Sequence, residues 1–215
     1  FRERVLADVH DDIVKHFWAK EFTHISEAVR TLLVNKLLQL SINPYLKRFF
    51  LQRQNKIHFR ECIDQKKIIL VNLARSTLGR EDSAFFGMLV AARLREAFAL
   101  RTARDDIFYL YIDDCGALAT AEFGDFFGEA ARHGVALTLA VQFLEQLPSR
   151  LWTVVVGNAG TLVVFRVGGE DALRLEKEMS PVFQAKDILN LGVGEFYIKM
   201  TIDGEISDPF SAETL

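Results

Sequence analysis

Apolar positions in the first part of the chain recur at helical spacing between charged side chains, as in an amphipathic helix. The recurring residues are Val5, Leu6, Val9, Ile13, Val14 and Phe17. A second helix is indicated at 25–40, and it ends at Asn43-Pro44 because proline disfavours the helical conformation of the residue before it. A third helix is predicted at 45–54. The pattern therefore predicts a helical segment over residues 1–60.

From Lys66 onward, short apolar runs alternate with amphipathic helical patterns. The runs predicted as strands are 68–73, 107–112, 135–141, 161–167 and 195–202. The helices predicted between them are 82–100, 121–133, 143–149 and 171–179. Asp203-Gly204 predicts a hairpin turn after the last run. This alternation predicts an α/β domain with a mainly parallel sheet over 61–215, whose strands end along one edge.

Two adjacent carboxylates, Asp113 and Asp114, end the apolar run 107–112. Side by side at the end of a buried strand they repel each other and lose hydration, a cost that a cation or a polarised water offsets. In nucleotide-hydrolysing α/β proteins this arrangement is a Walker B element. Its first acid holds Mg²⁺ through water, and its second orients or deprotonates the attacking water. A solvated turn is the other interpretation.

Two further polar residues lie near the ends of neighbouring elements. Gln142 ends the next predicted strand, where a glutamine can hydrogen-bond both the γ-phosphate and the attacking water. Arg132 lies at the end of the helix between the two strands. It is either a cation favoured by the helix dipole or an arginine that reaches the γ-phosphate bound by an adjacent subunit.

The net charge of −3 gives no global basic field, so that any DNA contact must come from a local patch. One such patch contains no acid between positions 42 and 60, and aromatic residues are interleaved with its cations. Its cations are Lys47, Arg48, Arg53, Lys56 and Arg60, and its aromatic residues are Tyr45, Phe49, Phe50 and Phe59. It predicts either phosphate binding with aromatic stacking or simply the basic outer face of an amphipathic helix.

Other chemistries find less support. Cys62 and Cys115 match no zinc or CxxC spacing, which indicates free thiols in a reducing compartment. The cluster His10, Asp11, Asp12 and His16 does not share one helix face, so no metal site is predicted there. The chain contains no G-x-x-x-x-G-K-[ST] loop, and we therefore expect it to bind nucleotide poorly by itself. It begins with Phe1 rather than methionine, as expected for a fragment of a longer protein.

Three stretches, in this order, resemble the carboxyl-terminal half of HerA/FtsK-superfamily motor ATPases. They are LVNLARSTLGREDSAFFGMLV, FYLYIDDCGALATAEFGDFFGEAARHGVALTLAVQFLEQL and VVGNAGTLVVFRVGGEDALRL. The resemblance is to the conjugative-coupling, type IV secretion branch of this superfamily. The segment FWAKEF…NKLL near the start of the chain is similar to the helical part that precedes the carboxyl-terminal half in that branch. The resemblance implies a RecA-like fold with a mainly parallel sheet flanked by helices, whose P-loop part lies upstream.

The resemblance also implies roles for individual residues. Asp113 takes the Mg²⁺ position, Asp114 the catalytic-acid position, Gln142 the sensor position and Arg132 the position of a trans-acting arginine. Asp114 departs from the family pattern, since that position is usually glutamate. Arg166 also matches the pattern, but the resemblance assigns it no role beyond a place at a subunit interface.

For the longer protein, the resemblance implies ATP and Mg²⁺ bound between the subunits of a hexamer, with DNA in its central channel. It also implies a nuclease or a secretion channel as partner. The expected location is cytoplasmic, with membrane attachment through an upstream segment left open. Two alternatives remain: a non-catalytic interaction or regulatory module derived from such an ATPase, and an unrelated α/β enzyme that uses the acid pair to bind Mg²⁺.

Overall fold

The computed structural model describes residues 2–50, 52, 54–101, 106–118, 124, 126 and 128–215. The chain is a mixed α/β protein that divides into two compact units. One unit comprises Phe1–Lys56 and Ala74–Asp82, and the other comprises Ile57–Leu73 and Ser83–Leu215. The described helices, in chain order, are α1 Arg2–Ala7, α2 Asp12–His16, α3 Phe22–His24, α4 Glu27–Ile42, α5 Pro44–Phe50, α6 Phe59–Asp64, α7 Arg75–Leu78, α8 Arg80–Ala99, α9 Ser149–Asn158, α10 Gly169–Met179 and α11 Ala185–Leu189.

The first unit is helical, and side-chain caps mark where two of its described helices, α2 and α5, begin. The Asp11 carboxylate accepts hydrogen bonds from the backbone N–H groups of Ile13 and Val14 and so caps α2. Asn43 similarly accepts from the N–H of Tyr45, and Pro44 occupies the first position of α5. The third helix, predicted at 45–54, therefore begins one residue earlier than predicted and ends at Phe50. Positions 51 and 53 of the predicted range lie outside the described residues.

The second unit contains a two-stranded parallel sheet. Strands β1 Phe108–Ile112 and β2 Val135–Leu139 pair in register from Phe108 with Val135 to Ile112 with Leu139. One face of the pair packs on α8, where Phe98 is fully buried with its ring 5.3 Å from the ring of Phe108. Alternate residues of β1 point away from this core, as strand geometry requires. Both strands lie within the predicted runs 107–112 and 135–141.

The other described strands form an antiparallel sheet. They are β3 Thr161–Val164, β4 Glu195–Ile202, β5 Glu205–Ile206 and β6 Phe210–Glu213, with β4 paired to the other three. The expected hairpin turn lies between β4 and β5, where Asp203 and Gly204 have φ angles of 52° and 88°. The prediction of a mainly parallel sheet therefore does not describe these strands, since each of the other three pairs antiparallel with β4. The tight turn accounts for this only between β4 and β5, because a two-residue hairpin joins antiparallel neighbours.

The apolar run 68–73 is not a strand in the structure, contrary to the sequence prediction. Ile68 and Leu70 are 89% and 90% exposed. A strand is defined by hydrogen bonds to a neighbour, and no neighbouring strand pairs with this run among the described residues. The run therefore has strand-forming composition without a partner in this part of the chain.

Part of the predicted helix 121–133 lies outside the described residues. Its final turn is a 3₁₀ helix, Ala130–His133, which ends at Gly134 in the left-handed conformation, with φ of 67°. Within the ranges that the structure describes, no helix has the length and apolar character needed to cross a membrane.

Candidate functional site

The carboxyl ends of β1 and β2 lie side by side, and their hydrogen bonding continues beyond the last strand pair. The N–H of Ala140 donates to the carbonyl of Ile112, and the N–H of Cys115 donates to the carbonyl of Ala140, both at 3.0 Å. Asp113 and Asp114 leave β1 within this pairing, and Gln142 follows Ala140 by two residues. The structure thus brings the acid pair and Gln142 to the same edge of the parallel sheet.

The two carboxylates of this edge have different surroundings. Asp113 is exposed, whereas Asp114 is half-buried and has a φ of 50°, a left-handed conformation that aspartate tolerates better than most residues. A 3₁₀ helix, Cys115–Leu118, follows directly. The turn therefore presents one acid to solvent and holds the other closer to the core.

Cys115 lies next to this acid pair and is 1% exposed. Burial raises the pKa of the Cys115 thiol from 9.0 to about 11. The negative charge of Asp114 adds to this effect, and that of Asp113 adds less. A hydrogen bond to the backbone lowers the pKa, but by less than burial raises it. The thiol is consequently protonated at neutral pH. Since the thiolate is the nucleophilic form, Cys115 is unsuited to nucleophilic catalysis.

Gln146 is a second glutamine of this edge that sequence reasoning missed. It ends the 3₁₀ helix Leu144–Gln146, and its side chain lies against Gly116 in the turn after the acid pair. Its Oε1 is buried and accepts no hydrogen bond from the described residues. The available signal was the four-residue spacing of Gln142 and Gln146 after a strand, a pattern too common to be interpreted alone.

Arg132 lies at the opposite edge of the parallel pair. It is exposed on the 3₁₀ helix Ala130–His133, directly before the amino end of β2. Because β2 has five residues, about 3.3 Å each, roughly 17 Å of strand separates this arginine from the edge that carries the acids. The structure therefore does not bring Arg132 together with Asp113, Asp114 and Gln142 within one chain.

Arg101 was also missed by sequence reasoning, and it organises the edge where Arg132 lies. Its guanidinium donates to the carbonyls of His133, at 3.3 Å, and Gly134, at 3.0 Å, and also to the carbonyl of Asp106. The Lys66 ammonium lies 3.0 Å from the Asp106 carboxylate at the same edge. The segments that enter β1 and β2 are thus tied together by one half-buried arginine.

A Mg²⁺ ion at Asp113 is compatible with the donor set, although the described residues contain no group of three or more His, Cys, Asp or Glu side chains able to hold a metal. Mg²⁺ usually keeps several waters and binds through one or two carboxylates together with substrate phosphates. The exposed carboxylate of Asp113 at the end of β1 supplies one such protein ligand. The site would be completed by the nucleotide rather than by a cage of protein ligands.

The predicted basic patch is divided between the two units. Lys47 and Arg48 are exposed on α5, beside Tyr45 and Phe49, which are 52% and 44% exposed. Arg60 instead lies 3.8 Å from Asp64, four residues along. Arg53 is outside the described residues. The α5 surface retains the combination of cations and accessible rings that nucleic-acid stacking requires.

The predicted interface residue Arg166 is exposed just after β3.

No model of a known protein family matches this chain. Its sequence likewise matches none of the curated proteins at a significant level.

Proposed function

We propose that this chain is the carboxyl-terminal part of a ring-forming, ATP-driven DNA translocase similar to the HerA/FtsK superfamily. The observation that best supports this is that Asp113, Asp114 and Gln142 follow the carboxyl ends of two neighbouring parallel strands, at one edge of the sheet. Ligands of open α/β sheets bind at this edge. The sequence resemblance supplies the reaction class, and the shared edge makes it geometrically reasonable.

The proposed chemistry assigns each of these side chains a different task. When bound, Mg²⁺ would neutralise the charge that develops as water attacks the γ-phosphorus of ATP and ADP leaves. Asp113, being exposed, would hold the metal through water. The half-buried Asp114 accepts the proton of the attacking water, and its shorter side chain compared with glutamate is expected to slow this step. Gln142 orients the water.

Arg132 is proposed to act on the neighbouring subunit. The length of β2 places it too far from Asp114 to serve the nucleotide of its own chain. An exposed arginine at the opposite edge of a subunit is available to the site of the next subunit in a ring. Hydrolysis would then require assembly, because the charge of the transition state is stabilised only across the interface.

The exposed run 68–73 supports the proposal that a RecA-like sheet is completed by further chain. Ile68 and Leu70 are almost fully exposed, yet IILVNL has the composition of a strand buried on both faces. We propose that this run becomes a strand when the P-loop part of the longer protein lies beside it. That part would also hold the nucleotide phosphates.

A second candidate function, a non-catalytic assembly module, is favoured by the apolar outer face of the antiparallel sheet. Val163, Phe165 and Phe210 on this face are 43%, 49% and 42% exposed. The rings of Phe165 and Phe196 lie 5.2 Å apart. Exposed apolar area of this kind is typical of protein interaction surfaces, and it requires no catalytic role for the acid pair.

The deciding experiment compares ATP hydrolysis, with and without DNA, by the 215-residue chain and by a chain extended upstream through any P-loop. The translocase proposal expects DNA-stimulated turnover in the extended chain alone. In that chain, Asp114→Asn should lower kcat by about 10²-fold or more, because it removes the proton acceptor. Asp208→Asn, an exposed acid remote from the acid pair in sequence, is the control and should retain turnover.

Three outcomes separate the candidates. Full turnover in Asp114→Asn would refute the base assignment. Nucleotide binding without hydrolysis in the unsubstituted extended chain would identify the shortened acid as disabling. Absence of both binding and hydrolysis would favour the assembly module.

A further inference from the structure

Asp171 is a buried carboxylate to which the proposed chemistry gives no role. It is 8% exposed and lies in the first turn of α10. Asp171 precedes Leu175 by four residues and Met179 by eight. This spacing places its side chain on the same buried, apolar stripe of the helix. A charged group on a core-facing stripe is costly unless it makes a strong hydrogen bond.

The hydrogen bond that Asp171 makes ties α10 to the segment after β2. Its Oδ2 accepts from the backbone N–H of Leu144 at 3.0 Å, and the bond is buried. Leu144 begins the 3₁₀ helix Leu144–Gln146 and packs in the same apolar cluster as the neighbouring α10 residues Ala172 and Leu175. The carboxylate thus fixes the start of a short helix that lies two residues beyond Gln142.

The other end of that short helix is fixed by the acid-pair turn. Gln146 packs against Gly116, two residues after Asp114. Residues 142–146 are consequently held between α10 on one side and the turn carrying the acids on the other. Loss of the Asp171 hydrogen bond would leave the buried N–H of Leu144 unsatisfied and would release one of these two attachments.

We propose that Asp171 is a positioning residue, whose carboxylate anchors residues 142–146 and thereby sets the position of Gln142 relative to Asp113 and Asp114. The inference rests on the proposed function, since positioning has a catalytic consequence only if Gln142 acts on nucleotide. Asp171 touches neither nucleotide nor water in this role. It acts through the backbone of Leu144.

The local step is tested on the 215-residue chain by amide hydrogen exchange at Leu144. Asp171→Ala should lower protection of this amide roughly tenfold or more, because a charge-assisted hydrogen bond is lost. Asp171→Asn retains a weaker, neutral acceptor oxygen and should lower the protection by a smaller factor, about threefold. Glu170→Ala, an exposed acid in the same helix turn, is the matched control and should leave it unchanged. Unchanged Leu144 protection in Asp171→Ala would overturn the proposal.

The catalytic step is tested in the extended chain by steady-state ATP hydrolysis, corrected for the folded fraction. Asp171→Ala should lower kcat about tenfold with KM for ATP changed less than about twofold, and Asp171→Asn should lower kcat only about threefold. If Asp171→Ala does not fold, Asp171→Asn decides alone. Its weaker neutral acceptor should lower both Leu144 protection and kcat several-fold, and unchanged values would refute the role.

A merely structural role predicts a different result: Asp171→Ala loses the protection of the Leu144 amide, but kcat stays unchanged. That result would overturn the positioning role and would leave the translocase proposal standing. If the unsubstituted extended chain does not hydrolyse ATP, the proposed function fails and the positioning role fails with it. ATP hydrolysis by the unsubstituted extended chain therefore distinguishes failure of the proposed function from failure of the positioning role alone.

Discussion

Gln146 packs so closely on Gly116 that a Cβ at position 116 would lie 2.6 Å from both the Cβ and the Oε1 of Gln146. The contact joins the turn after β1, which carries the acid pair, to the helix that follows Gln142. Only glycine allows this approach, because the first blocking atom lies at the base of the glutamine side chain and cannot be relieved by a change of rotamer.

Gly116→Ala is therefore expected to destabilise the chain by about 1–3 kcal/mol, since the added methyl group must displace the backbone on one side. Urea unfolding measures this effect. Gly157→Ala is the matched control: it lies near the end of α9, where an added Cβ would meet open space, and it should leave stability unchanged or raise it by less than about 1 kcal/mol. Equal free energies for the two variants would contradict the packing described above.

The buried thiol of Cys115 predicts a loss of stability at alkaline pH. Its folded-state pKa of about 11 lies above the ordinary value of 9.0, so that its contribution is fully present below pH 9 and is lost as pH rises toward 11. Relative to Cys115→Ala, the free energy of unfolding of the unchanged chain should fall by up to roughly 1.4 kcal/mol per pH unit in this range.

Denaturant titrations at several pH values between 8 and about 10.5 would measure this difference. Leu147→Ala serves as the control, because it creates a cavity in the same apolar cluster without removing a titrating group. Its free energy of unfolding should run parallel to that of the unchanged chain across the pH range. A Cys115→Ala profile that also ran parallel would refute the raised pKa.

Arg101→Met should destabilise the second unit by about 1–3 kcal/mol, because three carbonyl groups at the entry to β1 and β2 lose a charged donor. Thermal or urea unfolding provides the measurement. Arg93→Met is the comparison: Arg93 forms an exposed i,i+3 ion pair with Glu96, and its loss should cost less than about 0.5 kcal/mol. Similar losses in both variants would indicate that the Arg101 hydrogen bonds do not hold this edge together.

The trans role of Arg132 predicts complementation between two inactive variants of the extended chain. Arg132→Ala and Asp114→Asn should each abolish most turnover alone. In an equimolar mixture that exchanges subunits, roughly a quarter of the interfaces would join an intact Asp114 to an intact Arg132, and turnover should return in proportion. ATP hydrolysis before and after mixing is the measurement, and an inactive mixture of exchanging subunits would refute the trans assignment.

Local features were predictable from the sequence because they depend on neighbouring residues. The apolar run ending at Asp113-Asp114 predicted β1, the Asp203-Gly204 pair predicted the hairpin turn, and Pro44 predicted a helix boundary. Parallel pairing of β1 with β2 then placed Gln142 at the same edge of the sheet as the acids, as expected from the order of the two strands along the chain. Their catalytic roles stay predictions.

Tertiary structure alone decided the features that depend on partners distant in the chain. The run 68–73 has the composition of a strand. A strand forms only through hydrogen bonds to a neighbouring strand, and the run remains exposed. Gly116 with Gln146, and Leu144 with Asp171, meet only because two turns and a helix converge. The local sequence therefore determined β1, β2, the hairpin turn and the position of the candidate acids. Long-range packing determined which of them lie together, because side-chain contacts across 27 residues leave no local pattern to read.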